Sequence, residues 1–118
     1  MSRLKGISTH ELIATNVSRP DPARVLKGNP EFTTAPFYSS HVQSGIWTAT
    51  PGEHRVSRDE KTHEHFYILE GEIELEEEGS NEVRKFGAGD LVVIEPSFRG
   101  IWRTLKPVRK LYFTVHIQ

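Results

Sequence analysis

The chain has 118 residues, of which 36% are hydrophobic, and a formal net charge of −1 at pH 7. This length suits one domain with one core, and the near-neutral charge gives no long-range field for a polyanion, so we expect no nucleic-acid partner. The absence of cysteine excludes disulfides and thiolate metal sites. No apolar run reaches the roughly 18 residues that span a bilayer, and the first residues do not resemble a secretory leader. We therefore expect no membrane partner and a cytoplasmic location.

The first part of the chain, residues 1–36, differs in composition from the rest. It holds four of the seven prolines: Pro20, Pro22, Pro30 and Pro36. Proline fixes φ and disfavours helix at the preceding residue, so this segment is predicted to be extended or turn-rich. We interpret residues 1–36 as an extended, proline-rich N-terminal arm that packs on a domain formed by residues 37–118.

Beyond Tyr38 the sequence is punctuated regularly by glycine and proline, and the segments between are rich in β-branched and aromatic residues. Short strands with turn signals every eight to twelve residues are typical of a sandwich or barrel and leave no room for βαβ units. The sequence therefore predicts an all-β fold. Its predicted strands are 45–50, 63–69, 72–76, 82–86, 91–94, 101–105 and 108–117.

Three short stretches of the sequence carry a family resemblance. Residues 64–71 (EHFYILEG), 86–90 (FGAGD) and 94–96 (IEP) resemble the first and second sequence motifs of the cupin superfamily. The resemblance implies a cupin double-stranded β-helix, which is a jelly-roll barrel. It does not fix the function, because this barrel hosts isomerases, dioxygenases, hydrolases and binding modules.

A narrower resemblance lies in residues 45–52, 98–102 and 108–112. These segments are similar to small single-domain cupins related to the ureidoglycine aminohydrolase cupin domain. Cupins are commonly dimers, so the resemblance implies a homodimer. It also suggests, for an enzyme of this type, a small nitrogenous or carboxylic substrate.

The resemblance also implies where a cupin metal would bind. The family's ligands are a His-x-His pair, a glutamate and a histidine from the second motif. The glutamate matches Glu64, but the paired positions fall on Arg58 and Glu60, or on Ser57 and Asp59 if the loop is one residue longer. The second-motif position falls on Ile101. With three of the four ligand positions replaced, no metal cofactor is expected.

His63 and His65 offer a different metal site. Residues two apart on a strand project to the same face, which is sound geometry for a pair of ligands. If Glu64 points into the barrel, however, both histidines point away from it. A divalent metal held by His63 and His65 remains the alternative.

The barrel interior is expected either to form a ligand pocket or to be filled by side chains as a plain core. Aromatic walls with a few fixed polar groups are typical of small-molecule sites. A desolvated Glu64, with a raised pKa, could act as a general acid or base, so it is the candidate catalytic residue. If it instead faces an arginine, it is a paired structural charge. The residues expected near the mouth are Trp47, Arg58, Glu60, Glu64, Ile101, Trp102, Arg103 and Tyr112.

Three functions stay open on this basis. The first is a module that binds a small polar metabolite without a metal. The second is a metal-dependent enzyme of the ureidoglycine aminohydrolase type. The third is a structural or regulatory homodimer that binds no ligand, with the arm at its contact. The sequence leaves open whether the protein is an enzyme.

Overall fold

A computed structural model describes residues 2–117, and in this range the chain is almost entirely β-structure. Two short 3₁₀ turns, Thr9–Glu11 and Pro22–Arg24, are its helical elements there. The predicted all-β fold is confirmed. The strands are β1 (Asn16–Ser18), β2 (Val25–Gly28), β3 (Phe32–Ser39), β4 (Val42–Ala49), β5 (Gly52–Ser57), β6 (Thr62–Glu77), β7 (Val83–Gly87), β8 (Leu91–Ile94) and β9 (Arg99–His116).

The nine strands form one antiparallel sheet that curls into a half-barrel. Its main path runs β1-β3-β4-β9-β5-β2, and β6 pairs with β7, β8 and β9. The carboxyl half of β9 pairs with β4 and its amino half pairs with β5. Both halves also pair with β6, so β6 and β9 form the centre of the sheet.

The two long strands are the main difference from the predicted elements. Segments 63–69 and 72–76 belong to one bent strand, β6, and segments 101–105 and 108–117 belong almost entirely to β9. Register shifts between Ile68 and Ile73 mark the bend. Gly71 lies there with φ of +96°, and a Cβ on it would collide with the carbonyl of Pro107. A glycine allows both the positive φ and the close approach, so the strand can curl without ending.

The N-terminal arm is extended and takes part in the sheet. β1 pairs with β3, and β2 pairs with β5. The Arg109 guanidinium donates a hydrogen bond to the Thr9 carbonyl at 2.8 Å, which ties the first turn to β9. The expected division at 36/37 falls inside β3 (Phe32–Ser39), because β3 continues through it as one strand.

Alternation along the strands separates two faces. The concave face carries the core, which includes Phe66, Ile68, Ile73 and Trp102. The outer face of β6, β8 and β9 carries exposed apolar side chains, described below. No helix within residues 2–117 is long and apolar enough to cross a membrane.

Candidate functional site

A cavity of about 360 Å³ opens on the concave face of the sheet. Its walls are aromatic and come from three strands: Phe32 from β3, Trp47 from β4, and Trp102 and Tyr112 from β9. Trp47 and Trp102 meet edge to face, with ring centroids 5.4 Å apart. Flat rings that already pack on each other form a rigid apolar wall.

The polar centre of the cavity is Glu64 of β6, which is 5% exposed. Arg58 donates from Nε and Nη2 to its Oε1 at 3.0 and 2.7 Å, and Lys110 Nζ donates to its Oε2 at 2.7 Å. Burial alone would raise the pKa of Glu64, but the Lys110 and Arg58 cations together outweigh burial and lower it to about 2. The carboxylate is therefore ionised at neutral pH, and both oxygens accept hydrogen bonds. The raised pKa expected for a general acid is not found, because Glu64 is paired with two cations.

Lys110 is the most enclosed charge in this cluster. It is 4% exposed, and its Nζ lies 4.4, 4.2 and 4.6 Å from the ring centroids of Trp47, Phe66 and Trp102. Burial lowers the pKa of Lys110 below its ordinary value, and the Glu64 carboxylate offsets part of this effect. Three ring faces and an ionised carboxylate at 2.7 Å all stabilise the ammonium form. Lys110 thus carries its charge inside the aromatic wall.

His54 of β5 completes the set of titratable groups. Its ring lies between Phe32 and Trp102, at centroid distances of 5.0 and 6.3 Å, and its Nδ1 is buried without a hydrogen-bond partner among residues 2–117. Burial, then the nearby cations Arg58 and Lys110, lower the pKa of His54 to about 4. The imidazole is neutral at pH 7, with an unmatched polar atom in a wall of the cavity.

Five of the eight expected pocket residues line this cavity: Trp47, Arg58, Glu64, Trp102 and Tyr112. The other three lie elsewhere and correct the expectation. Glu60 is exposed in the turn between β5 and β6. Ile101 and Arg103 flank the inward Trp102, so strand alternation turns them outward. Arg103 donates instead to Glu53 and Glu76 on the outer face, at 3.2 and 3.0 Å.

The two histidines of the alternative metal site lie on the side of β6 opposite Glu64. His65 stacks on Phe113 with ring centroids 4.8 Å apart and an interplanar angle of 12°. His63 and His65 are both half-buried, and neither lines the concave cavity. The expected orientation of Glu64 toward the cavity therefore agrees with the structure.

Sequence reasoning missed Lys110 and His54, which had no assigned role. A signal was present in both cases. Lys110 is two residues before Tyr112, and His54 is four residues before Arg58. Tyr112 and Arg58 were both expected to point inward. Strand alternation would have placed the missed residues on the same face.

The side chains of the cavity do not suit a cupin metal. A site of this class needs several imidazole or carboxylate ligands with free lone pairs. Here both Glu64 oxygens are bonded to cations, and Arg58 and Lys110 would repel a divalent ion. Within residues 2–117 no group of three or more His, Cys, Asp or Glu is arranged to hold a metal.

A larger depression, of about 630 Å³, lies on the outer face between β5, β6 and β9. Arg24, Arg55 and Arg99 line it together with the acidic segment 76–78. Its arginines are exposed and face carboxylates across an open surface. Such a mixed surface resembles a solvated charged face more than a ligand site.

A curled antiparallel sheet with a ligand-sized cavity on its concave face defines a small cupin-type protein. The sequence profile of the EutQ-like cupin domain family matches residues 38–112, which is more than half of the chain. The chain belongs to this family. A search of curated proteins gives no significant match.

Solved structures support the same fold. A protein of unknown function of the DUF861 family from Pseudomonas syringae pv. tomato aligns with a TM-score of 0.75 and 27% identity, over 87% of this chain and 44% of that one. A DUF861 family protein from Thermotoga maritima is 37% identical over 57% of this chain and 73% of its own, with a TM-score of 0.53. The EutQ protein of Clostridium difficile shares the fold at 13% identity, with a TM-score of 0.64 over 74% of this chain and 69% of that one.

Proposed function

We propose that the chain is a binding module for a small polar metabolite, and that the ligand occupies the concave cavity. The observation that carries the proposal is the Arg58–Glu64–Lys110 cluster at the base of an open aromatic cavity. A core filled with apolar side chains is generally as stable as one that contains a buried ion pair. The stability of the fold alone therefore does not explain why the cluster is present. A few fixed polar groups among aromatic walls are the usual composition of a ligand site.

A thermal-shift screen of small metabolites tests this function. A ligand that binds the folded state alone raises the melting temperature, and at about a hundredfold excess over Kd we expect a rise of several degrees. Tryptophan fluorescence is a second readout, because both tryptophans of the chain, Trp47 and Trp102, line the cavity.

Two variants make this screen specific. Thr114→Phe places a ring at the cavity and should abolish the shift. Val115→Phe adds the same ring to the next residue of β9, whose side chain points to the opposite face of the sheet. This variant should keep the ligand-induced rise in melting temperature. A broad panel without any hit, or hits that persist in Thr114→Phe, would contradict the proposal.

The metal-dependent alternative, an enzyme of the ureidoglycine aminohydrolase type, finds no suitable donor set in the cavity. We expect less than stoichiometric iron, manganese, nickel and zinc in protein purified without a histidine tag, as measured by elemental analysis. One equivalent of any of these metals per chain, retained after dialysis, would overturn this expectation.

The expected homodimer also stays a prediction, and the outer face of β6, β8 and β9 is where a second copy would bind. Five side chains there are 36–66% exposed, and they form two cross-strand rows around His65. They are Tyr67, Leu91, Val93, Leu111 and Phe113. An apolar surface of this kind marks an interaction site more often than a solvated face.

A charged substitution on this face tests the homodimer. Val93→Glu should convert a dimer to a monomer in light scattering, because a buried carboxylate without a partner opposes association. Val83→Glu, at an exposed valine of β7, is the control. A wild-type protein that is monomeric at all concentrations would contradict the homodimer.

A further inference from the structure

The charges around the cavity do not cancel. Arg58 and Lys110 are cationic, Glu64 is anionic, and His54 is neutral at pH 7. Among residues 2–117, Glu64 is the one acidic residue that lines the cavity, and each of its oxygens already accepts a hydrogen bond from a cation. The cavity thus has one uncompensated positive charge, enclosed by walls of low polarity where a charge acts more strongly than in water.

The hydrogen-bonding groups left over are mostly donors. A guanidinium has five N–H groups, and Arg58 directs Nε and Nη2 to Glu64, so its Nη1 has no hydrogen-bond partner in the part of the chain that the structure describes. The Arg58 side chain is 29% exposed, whereas that of Lys110 is 5% exposed, so Arg58 is the cation that a ligand can reach. The Tyr112 hydroxyl is protonated at neutral pH and can donate, and burial raises its pKa further. Among the described lining residues, a cationic ligand would meet only the Glu64 carboxylate, whose two oxygens already accept hydrogen bonds from Arg58 and Lys110.

The shape of the cavity constrains the rest of the ligand. Phe32, Trp47 and Tyr112 present ring surfaces to the cavity, and the hydroxyl-bearing Thr34 and Thr114 also line it. A flat apolar body can pack against the rings, while its charged end lies beside Arg58. A strongly hydrated ion without such a body would leave the aromatic surface unfilled.

From the uncompensated charge and the aromatic walls, we infer that the cavity selects a small monoanion with a flat apolar body, such as an aromatic carboxylate, and that Arg58 binds its anionic group. This inference rests on the proposed function, which requires a ligand but leaves its charge open. The Glu64 carboxylate acts as an internal counter-ion that holds Arg58 in place for the incoming anion.

A charge series on one ring tests the inference. Benzoate, benzamide and benzamidine share a phenyl body and carry end groups of similar size with charges of −1, 0 and +1. Each is titrated into the full chain and followed by tryptophan fluorescence and by the NMR signals of the two indole N–H groups. We expect benzoate to bind about tenfold or more tightly than benzamide, and benzamidine to bind most weakly, because a charge-assisted hydrogen bond is roughly twice as strong as a neutral one.

Variants of Arg58 assign the preference to one side chain. Arg58→Gln should bring the affinities for benzoate and benzamide to within about twofold of each other, whereas Arg58→Lys, which keeps the charge but loses the guanidinium donors, should keep a larger preference than Arg58→Gln. Arg55→Gln removes the same charge from an exposed residue of β5 outside the cavity, so it should leave the preference intact. Thermal unfolding of each variant verifies that it is folded.

The outcomes separate this inference from the proposed function. If benzamide or benzamidine binds as tightly as benzoate, or if Arg58→Gln keeps the preference for benzoate, the inference that the cavity selects an anion is wrong. The proposed function, binding of a small metabolite, is not contradicted by that result. If none of the three compounds binds and the metabolite screen gives no hit, both are wrong. If metabolites bind but benzoate does not, this inference alone fails.

Discussion

Replacing Lys110 with methionine is expected to lower the free energy of unfolding by about 3–5 kcal/mol, because it leaves the buried Glu64 carboxylate without its second cation. Glu64 is 5% exposed and its Oε2 accepts from Lys110 Nζ at 2.7 Å, so water cannot take the place of the ammonium without rearrangement. Methionine is apolar and similar in length, so the variant removes the charge and keeps most of the packing against the rings. Equilibrium unfolding in urea measures the change.

A double variant distinguishes energetic coupling between Glu64 and Lys110 from a simple loss of packing. Glu64→Leu combined with Lys110→Met replaces the pair with apolar groups and should be more stable than Lys110→Met alone, since no buried charge is left unmatched. Lys85→Met breaks the exposed ion pair of Lys85 with Glu72 and serves as the control, with little change expected. Additive effects of the two cluster substitutions would show that the pair is not coupled.

Acid should destabilise the protein in two overlapping ranges. The pKa of His54 is about 4 in the folded chain against an ordinary value of 6.5, so the unfolded state binds more protons below pH 6.5 and stability falls as the pH drops from 6.5 to 4. The pKa of Glu64 is about 2 against an ordinary 4.5, so its contribution is present above pH 4.5 and is lost as the pH falls toward 2. Each group accounts for up to about 3 kcal/mol.

Substitution of His54 isolates the first of these ranges. His54→Gln keeps a polar side chain of similar size but does not titrate, so the fall in unfolding free energy between pH 6.5 and 4 should become much shallower than in the wild type. His116→Gln removes an exposed imidazole and is the matched control. Urea unfolding at several pH values measures both slopes, and an equal slope in His54→Gln and the wild type would refute the assignment.

Much of the fold could be predicted from the sequence because its punctuation is local. Gly71 marks the bend in β6, and the apolar run 91–94 forms β8 as expected. β3 and β5 were not predicted. β3 contains Pro36, which is unfavourable within a strand, and β5 carries His54 and Arg55 in place of an apolar run. Their pairing with β4 and β9 outweighs these local preferences.

The site was harder to predict than the fold, because it depends on how distant strands are paired. Glu64 and Lys110 are 46 residues apart in sequence and become partners only because β6 and β9 pair. A lysine within a strand is normally solvent-facing, and alternation separates Lys110 from its outward neighbour Arg109 only once Tyr112 is known to point inward. The choice between Ile101, Trp102 and Arg103 had the same difficulty, since a shift of one residue exchanges the two faces.

The central place of β9 constrains the order in which the molecule can assemble. β4 and β5 are neighbours in sequence, yet each gains a sheet partner in β9, whose paired residues follow 42 to 73 positions later. During synthesis, β4 and β5 cannot pair with β9 before it is made. The emerging polypeptide therefore carries the unpaired edges of these two strands until residue 116 has been added. Pairing between strands so far apart in sequence forms slowly. The nascent chain is therefore exposed to aggregation for longer than a chain that folds into a sheet of consecutive hairpins.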